Sequence, residues 1–194
     1  MIYIIISYLI GSIPFGLLFG HLAGIDVRKS GSGNIGATNV NRLLGKKLGI
    51  ATLLCDAAKG YLPMLGAAFF GASGEIILAC GLAAFIGHMF PLYLKFKGGK
   101  GVATALGVFL FLSPSACAIS AAVFIGLVAA SGFVSFGSMG AALSMPLTLF
   151  LSHAPTNEIW LALVVAVLIV LKHHQNIGRL VRGEEKSWRK KARE

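Results

Sequence analysis

The chain has 194 residues, 56% of them hydrophobic and only 12% charged, with a mean hydropathy of +0.82. So little polar surface excludes a water-exposed globule of this size and makes the bilayer part of the solvent. Seventeen Lys and Arg against seven Asp and Glu give a net charge of +10, which suits nucleic acid, anionic lipid or anionic substrates until the charges are placed along the chain.

Apolar stretches recur at close to the length that crosses roughly 30 Å of hydrocarbon at about 1.5 Å per residue. They predict an all-α membrane protein, one integral domain over 1–194, with about seven transmembrane helices near 2–22, 48–70, 75–94, 101–116, 117–132, 138–152 and 157–172. The first has no basic residue before its apolar core and reads as a retained span rather than a cleaved signal. The second carries Asp56 and Lys59, three apart near its middle and each unfavourable alone in hydrocarbon. They read either as an ion pair turned into the bundle or as polar lining of a substrate cavity. His88 in the third, beside Gly87 and Pro91, reads as a hydrogen-bonded packing residue. The fourth to sixth helices are short and joined by breaks at Ser113-Pro114-Ser115 and from Ser131 to Ser138. Pro14, Pro63, Pro91 and Pro146 sit in or near spans, where neighbouring helices satisfy the freed carbonyls. Cys55, Cys80 and Cys117 lie in apolar stretches without metal or disulfide spacing and read as small hydrophobes.

Charge placement sets the orientation. The connection after the first span holds Arg28, Lys29, Arg42, Lys46 and Lys47, and the one after the third holds Lys95, Lys97 and Lys100. The segment after the seventh holds Lys172, Arg179, Arg182, Lys186, Arg189, Lys190, Lys191 and Arg193. The opposite connections carry only Glu75 and Glu158. Basic loops stay on the cytoplasmic side, so the N-terminus is expected outside and the C-terminus inside. The cytoplasmic segments are then about 25–47, 95–101 and 172–183, followed by a basic tail, 184–194, that reads as a contact with anionic lipid. This placement speaks for membrane lipids and anionic substrates and against nucleic acid.

The first segment reads SGSGNIGATNVNR from Ser30 to Arg42. Its Gly31, Gly33 and Gly36 spell GxGxxG, but a dinucleotide site needs a preceding strand, and a membrane helix precedes this one. The chemistry of the pattern survives that exclusion. Glycines let backbone N–H groups approach an anion, Ser32, Asn34, Thr38 and Asn39 add short donors, and Ala37 to Lys47 suits a short helix whose N-terminus favours the same anion. Arg42 supplies a planar fork for phosphate. A flexible polar loop is the plainer reading.

The second segment, KFKGGKGVAT from Lys95 to Thr104, lacks the spacing of a Walker A loop. It still brings Gly98, Gly99 and Gly101 around Lys100 where a helix opens; an ordinary juxtamembrane turn is the alternative. The third, KHHQNIGRLVRG from Lys172 to Gly183, places His173 and Asn176 on one face of a continuing helix, near Lys172 and Arg179. No cysteine or second histidine cluster supports a metal, and no cofactor motif is present. His21 and Asp26 match the HxxxxD spacing of acyltransferases that use thioester donors, but two letters at the end of a span, without that family's following segments, do not carry the assignment.

Three cationic segments on one face, with no Ser-His-Asp or Cys-His set, suggest one pocket and group transfer driven by positioning and electrostatics. In their order SGSGNIGATNVNR, KFKGGKGVAT and KHHQNIGRLVRGEE closely resemble the three motifs of the bacterial acyl-phosphate:glycerol-3-phosphate acyltransferase family, and the resemblance covers essentially the whole chain. It implies an inner-membrane enzyme of phospholipid synthesis, acting on the cytoplasmic side, that moves a fatty acyl group from acyl phosphate to the sn-1 hydroxyl of glycerol 3-phosphate. The products are lysophosphatidic acid and inorganic phosphate. It implies that Gly98, Gly99, Gly101 and the loop from Ser32 to Thr38 cradle phosphates, and that Arg42, Lys100, His173 and Asn176 bind glycerol 3-phosphate. With Ser32, these four are the expected catalytic set; Gly33, Asn34, Gly36, Thr38, Asn39, Gly98, Gly99, Gly101 and Thr104 are the expected substrate contacts. The alternative from another class is a transporter or channel for phosphate-bearing anions, which requires ionisable residues along a path across the bilayer; only Asp56, Lys59 and His88 lie deep.

Overall fold

The computed structural model describes residues 1–189; the tail cations Lys190, Lys191 and Arg193 lie outside them. The described residues form α-helices joined by turns and contain no strand. They divide into two compact units, 1–112 and 113–189.

Unit 1 opens with α1 (Ile2–Gly11) and α2 (Phe15–Leu22), which together make one apolar stretch long enough to cross a membrane. Pro14 separates them: its ring cannot donate into the helical ladder, and the chain turns there before helix resumes. A short helix, α3 (Ala37–Leu44), holds the second half of the first polar segment, and Gly45 separates it from α4 (Lys46–Phe69), which runs unbroken through Pro63. Then come α5 (Gly74–Met89), a 3-10 turn at Leu92–Leu94, and α6 (Val102–Leu112).

Glycines decide which helices touch. A Cβ on Gly11 of α1 would overlap the Ala84 backbone of α5, and one on Gly87 of α5 would overlap the Tyr8 carbonyl of α1. The pair α4 and α6 repeats the arrangement, with Gly60 against the Thr104 carbonyl and Gly107 against the Ala57 carbonyl. Between membrane helices, van der Waals contact and interhelical hydrogen bonds take over from the hydrophobic effect, and small residues permit that closeness.

A string of polar groups is buried in the same unit. Lys59 and Asp56 of α4 pair at 2.9 Å, with side chains 2% and 3% exposed. Lys59 Nζ also donates to the Ile13 carbonyl at 2.7 Å. At the helix break Leu17 N–H bonds Pro14 instead of Ile13, and the Ile13 carbonyl accepts the Phe15 N–H at 3.2 Å besides Lys59. Beyond Asp56, His88 Nδ1 of α5 lies 3.7 Å from the carboxylate. One ion pair thus ties the α1–α2 break, α4 and α5 together, so the pair is turned into the bundle as its spacing suggested.

Unit 2 comprises α7 (Pro114–Ser131), α8 (Val134–Leu151), α9 (Thr156–Lys172) and α10 (His174–Val181). Ser113 caps α7 by accepting the Ala116 N–H, with Pro114 at the first helical position. Gly132, at φ 81°, makes the tight corner into α8, and its N–H bonds the Val128 carbonyl. The break expected from Ser131 to Ser138 is therefore only two residues, Gly132 and Phe133, and the expected fourth helix ends at Leu112 rather than 116. Hydropathy alone blurs such corners, because Phe133 and Val134 look like membrane residues. At His173 the axis bends by 55° between α9 and α10.

Removing one member of a buried ion pair leaves the other charge unmatched. Asp56→Ala should therefore destabilise the protein by about 3–5 kcal/mol in detergent, while an Asp56→Leu, Lys59→Met double variant recovers most of that loss. Thermal unfolding of the three proteins checks the expectation.

Candidate active site

The first polar segment is shaped by its hydrophobic foot. Val27, Ile35 and Val40 are buried with Leu17 of α2, and Leu43, Leu44, Leu48 and Leu94 pack around them. Asn39 fixes the loop above this cluster. Its Nδ2 donates to the carbonyls of Val27 at 2.9 Å, Ser30 at 3.2 Å and Asn34 at 2.9 Å, and its Oδ1 accepts Ser32 N–H at 2.8 Å. Asn39 is 1% exposed, so the structure makes it the loop's internal tie, where the sequence suggested a donor to a ligand. Gly31 sits at φ 66° directly beside Asn39, and both the backbone angle and the close approach require glycine. Asn34 Oδ1 accepts the Gly36 N–H at 2.8 Å and turns the chain into α3.

No side chain caps α3, and the first N–H groups of a helix lack intrahelical partners. Ser32, Thr38 and Arg42 are exposed there. Thr38 and Arg42, four apart, share a face of α3. The arrangement offers an anion hydroxyls, helix-terminal N–H groups and a guanidinium together.

The second segment follows Leu94, which belongs to the cluster that carries the first, so the two lie at the same end of unit 1. Lys95 and Phe96 take left-handed backbone angles, φ 50° and 63°, unfavourable without glycine. Tight packing against α5 then accounts for the glycines. The Gly99 N–H donates to the His88 carbonyl at 3.1 Å. A Cβ on Gly99 would overlap the His88 ring, one on Gly98 the His88 carbonyl, and one on Gly101 the Phe85 ring. The expected cradle of backbone donors is thus partly committed internally: the Gly99 N–H already has its acceptor. Lys100 is half-buried between these glycines, and Thr104 is fully buried at the α4–α6 contact, its hydroxyl without a hydrogen-bond partner among the described residues.

The third segment belongs to unit 2. His173 closes α9 rather than continuing it, yet its carbonyl accepts the Ile177 N–H, so the spacing to Asn176 remains about one turn. Both residues are buried, 2% and 5% exposed. His173 Nδ1 lies 2.8 Å from the Ile169 carbonyl. A carbonyl only accepts, so Nδ1 carries a proton in this contact. Asn176 Nδ2 donates to Glu185, which also accepts Ser135 Oγ–H at 2.7 Å and pairs with Arg179 at 2.6 Å.

Glu185 was not among the expected site residues: the third motif, KHHQNIGRLVRGEE, ends on Glu184 and Glu185, but the tail from 184 onward read as a lipid contact. The exposed Glu184 pairs with Arg182 at 2.8 Å, whereas Glu185 draws the chain back onto α8 and α10. The tail continues with Trp188 N–H bonded to the Gly132 carbonyl at 3.0 Å. Burial raises the Glu185 pKa, but the bonds from Ser135, Asn176 and Arg179 and the Arg179 charge outweigh it and hold the carboxyl below its ordinary value.

The HxxxxD match does not assemble. Asp26 accepts from Arg28 Nε at 2.9 Å and Nη2 at 2.8 Å, contacts that lower its pKa and commit it to the guanidinium rather than to His21. Among the described residues no group of three or more His, Cys, Asp or Glu is placed to hold a metal ion, and the three cysteines are unbonded.

Apolar helices of membrane length, with cationic, glycine-rich segments at helix ends, define a multi-pass integral membrane protein equipped to hold anions. The chain belongs to the glycerol-3-phosphate acyltransferase family, which it matches over residues 1–183. A glycerol-3-phosphate acyltransferase of Desulfotalea psychrophila is 60% identical over 194 residues, 98% of each chain. One from Aquifex aeolicus is 45% identical over 183 residues, 94% of this chain and 95% of that one. The fold matches two crystal structures of PlsY, an integral membrane glycerol 3-phosphate acyltransferase. Its glycerol 3-phosphate form has TM-score 0.92 at 42% identity, covering 96% of this chain and 94% of that one. Its lysophosphatidic acid form has TM-score 0.89 at 42% identity, with 96% and 93% covered.

The lowered Glu185 pKa has a pH consequence. A carboxyl whose pKa is depressed by folding adds stability above its unfolded value, about 4.5, and loses that contribution as pH falls through the folded value. Thermal stability in detergent should drop below about pH 4.5 in the native protein, and Glu185→Gln should be less stable at neutral pH with a shallower acid limb.

Proposed function

We propose that this protein is an acyltransferase that moves a fatty acyl group from acyl phosphate to the sn-1 hydroxyl of glycerol 3-phosphate, yielding lysophosphatidic acid and inorganic phosphate for phospholipid synthesis. The observation that carries the reading is the set of three cationic segments, SGSGNIGATNVNR, KFKGGKGVAT and KHHQNIGRLVRG, in a chain of this family. The relatives' names and the glycerol 3-phosphate and lysophosphatidic acid forms of PlsY supply the acceptor and the product. The donor rests on the motif resemblance. The chain works as a single domain of about seven spans in the bacterial inner membrane, N-terminus outside and C-terminus inside; the one-sided distribution of Lys and Arg supports the cytoplasmic placement of the site.

The chemistry is nucleophilic acyl transfer. The acceptor hydroxyl oxygen forms a bond to the acyl carbonyl carbon, the bond from that carbon to the phosphate oxygen breaks, and the hydroxyl proton leaves with phosphate as hydrogen phosphate. Phosphate is a good leaving group, so the protein's task is to hold two anionic substrates together and offset their charge. Arg42 and Lys100 supply the fixed cationic charge. Ser32, Gly33, Asn34, Gly36 and Thr38 line the phosphate loop with Asn39 as its internal support, and Gly98, Gly99 and Gly101 shape the turn that presents Lys100. His173 and Asn176 address the acceptor, and the acyl chain enters between helices from the bilayer.

A donor phosphate oxygen serves as the base in this reading. The hydrogen bond from His173 Nδ1 to the Ile169 carbonyl favours a second one, in which Nε2 takes the hydroxyl proton. His173→Gln separates them: turnover near that of the native protein with weakened substrate affinity supports the phosphate, and a loss of roughly 10²-fold in turnover alone supports His173. The overall assignment is checked with purified protein in detergent. Inorganic phosphate should appear only when acyl phosphate and glycerol 3-phosphate are both present; phosphate flux into liposomes with no ester product would instead indicate an anion transporter.

A further inference from the structure

The buried polar string does not stop at α5. From the Ile13 carbonyl it passes through Lys59 at 2.7 Å and Asp56 at 2.9 Å to His88, 3.7 Å beyond. His88 is 4% exposed and meets the second glycine segment twice. Its carbonyl accepts the Gly99 N–H at 3.1 Å. Its imidazole lies where a Gly99 Cβ would stand, with Nε2, Cε1 and Cδ2 the nearest atoms. Gly99 precedes Lys100, so the height and tilt of that lysine depend on the surface beneath Gly99.

We infer that His88, braced by the Asp56–Lys59 pair, is a positioning residue for the reaction proposed above: it seats the Gly98–Gly101 turn and thereby places Lys100 against substrate phosphate. His88 touches no substrate in this scheme. A deep polar string would then have a purpose besides joining helices, since a seat made of a flat ring and a carbonyl defines a backbone position more sharply than aliphatic packing does.

The test is a four-protein cycle of native protein, His88→Ala, Gly99→Ala and the double variant, with KM for each substrate, kcat and thermal stability measured in detergent. His88→Ala should raise the KM for one phosphate substrate about 10-fold, with the other KM within about twofold and kcat lowered less than about threefold. Gly99→Ala should lower kcat/KM at least about 100-fold in the native background but less than about threefold in the His88→Ala background, because truncation of the ring vacates the space its Cβ needs. Unchanged KM values in His88→Ala, or an equal effect of Gly99→Ala in both backgrounds, would overturn the inference. If the native protein releases no phosphate from acyl phosphate and glycerol 3-phosphate, the proposed reaction fails. The seating contact is then judged on thermal stability: a Gly99→Ala loss that disappears in the His88→Ala background upholds it, and one that persists refutes it. Where His88→Ala does not fold, His88→Asn replaces it in the cycle under the same criteria.

Discussion

Hydrocarbon offers no hydrogen bonds, so a polar group placed at membrane depth must find its partner inside the protein. Asp56 and Lys59 show the consequence. Neither is tolerable alone there, and together they remain short of donors and acceptors. The break at Pro14 resolves part of this by turning the Ile13 carbonyl out of the i to i+4 ladder, where it accepts from Lys59 at 2.7 Å as well as from the Phe15 N–H. The break therefore serves a purpose that neither helix reveals when considered by itself. Ile13, Lys59, Asp56 and His88 come from three stretches far apart in sequence, and the string they form joins the α1–α2 break to α4 and α5.

The same rule separates two kinds of polar residue within the cationic segments. Asn39 and Glu185 point inward and complete backbone or side-chain networks, while Ser32, Thr38 and Arg42 are exposed. The inward residues let the outward ones hold still. Asn39 closes a loop that has no regular structure, with hydrogen bonds to four backbone groups at one buried amide. Glu185 does the corresponding work in unit 2, gathering Ser135, Asn176 and Arg179 around one carboxylate. Pre-organisation of this kind suits a reaction whose barrier is lowered mainly by electrostatics, since donors already in place need no reorganisation as charge develops.

Helix positions were largely legible because hydropathy and charge report the solvent directly. The α3 helix could be anticipated from local chemistry and the Asp56–Lys59 pairing from their spacing, whereas Pro14 splits the expected span over 2–22 into two helices. Corners were harder: Gly132 turns the chain where apolar residues run on, so the expected break was too long. The roles of Asn39 and Thr104 were hidden for a different reason. Whether an amide or hydroxyl faces a ligand or its own backbone depends on contacts such as Gly60 with the Thr104 carbonyl, which belong to helix packing and leave no local trace. Glu185 was obscured by its setting, since an acid in a basic run looks like charge balance until its partners are seen.

The glycines of the second segment illustrate how one residue type satisfies two demands. An anion-binding turn needs backbone that comes close to phosphate, and a turn folded onto α5 needs backbone that comes close to His88 and Phe85. Gly98, Gly99 and Gly101 meet the second demand visibly, because a Cβ at each would overlap α5. The two demands are compatible only if the turn's faces are divided, one against α5 and one toward the substrate. Committing the Gly99 N–H to His88 is consistent with that division: it fixes one face, and in the proposed reaction Lys100, half-buried between the glycines, is the group that meets the anion. A lysine is a point charge on a flexible stem, whose own geometry does little to define where it acts. Its placement must therefore come from the backbone that carries it, and a glycine turn pressed onto a buried ring is stiff because it is packed, despite being built of the most flexible residue.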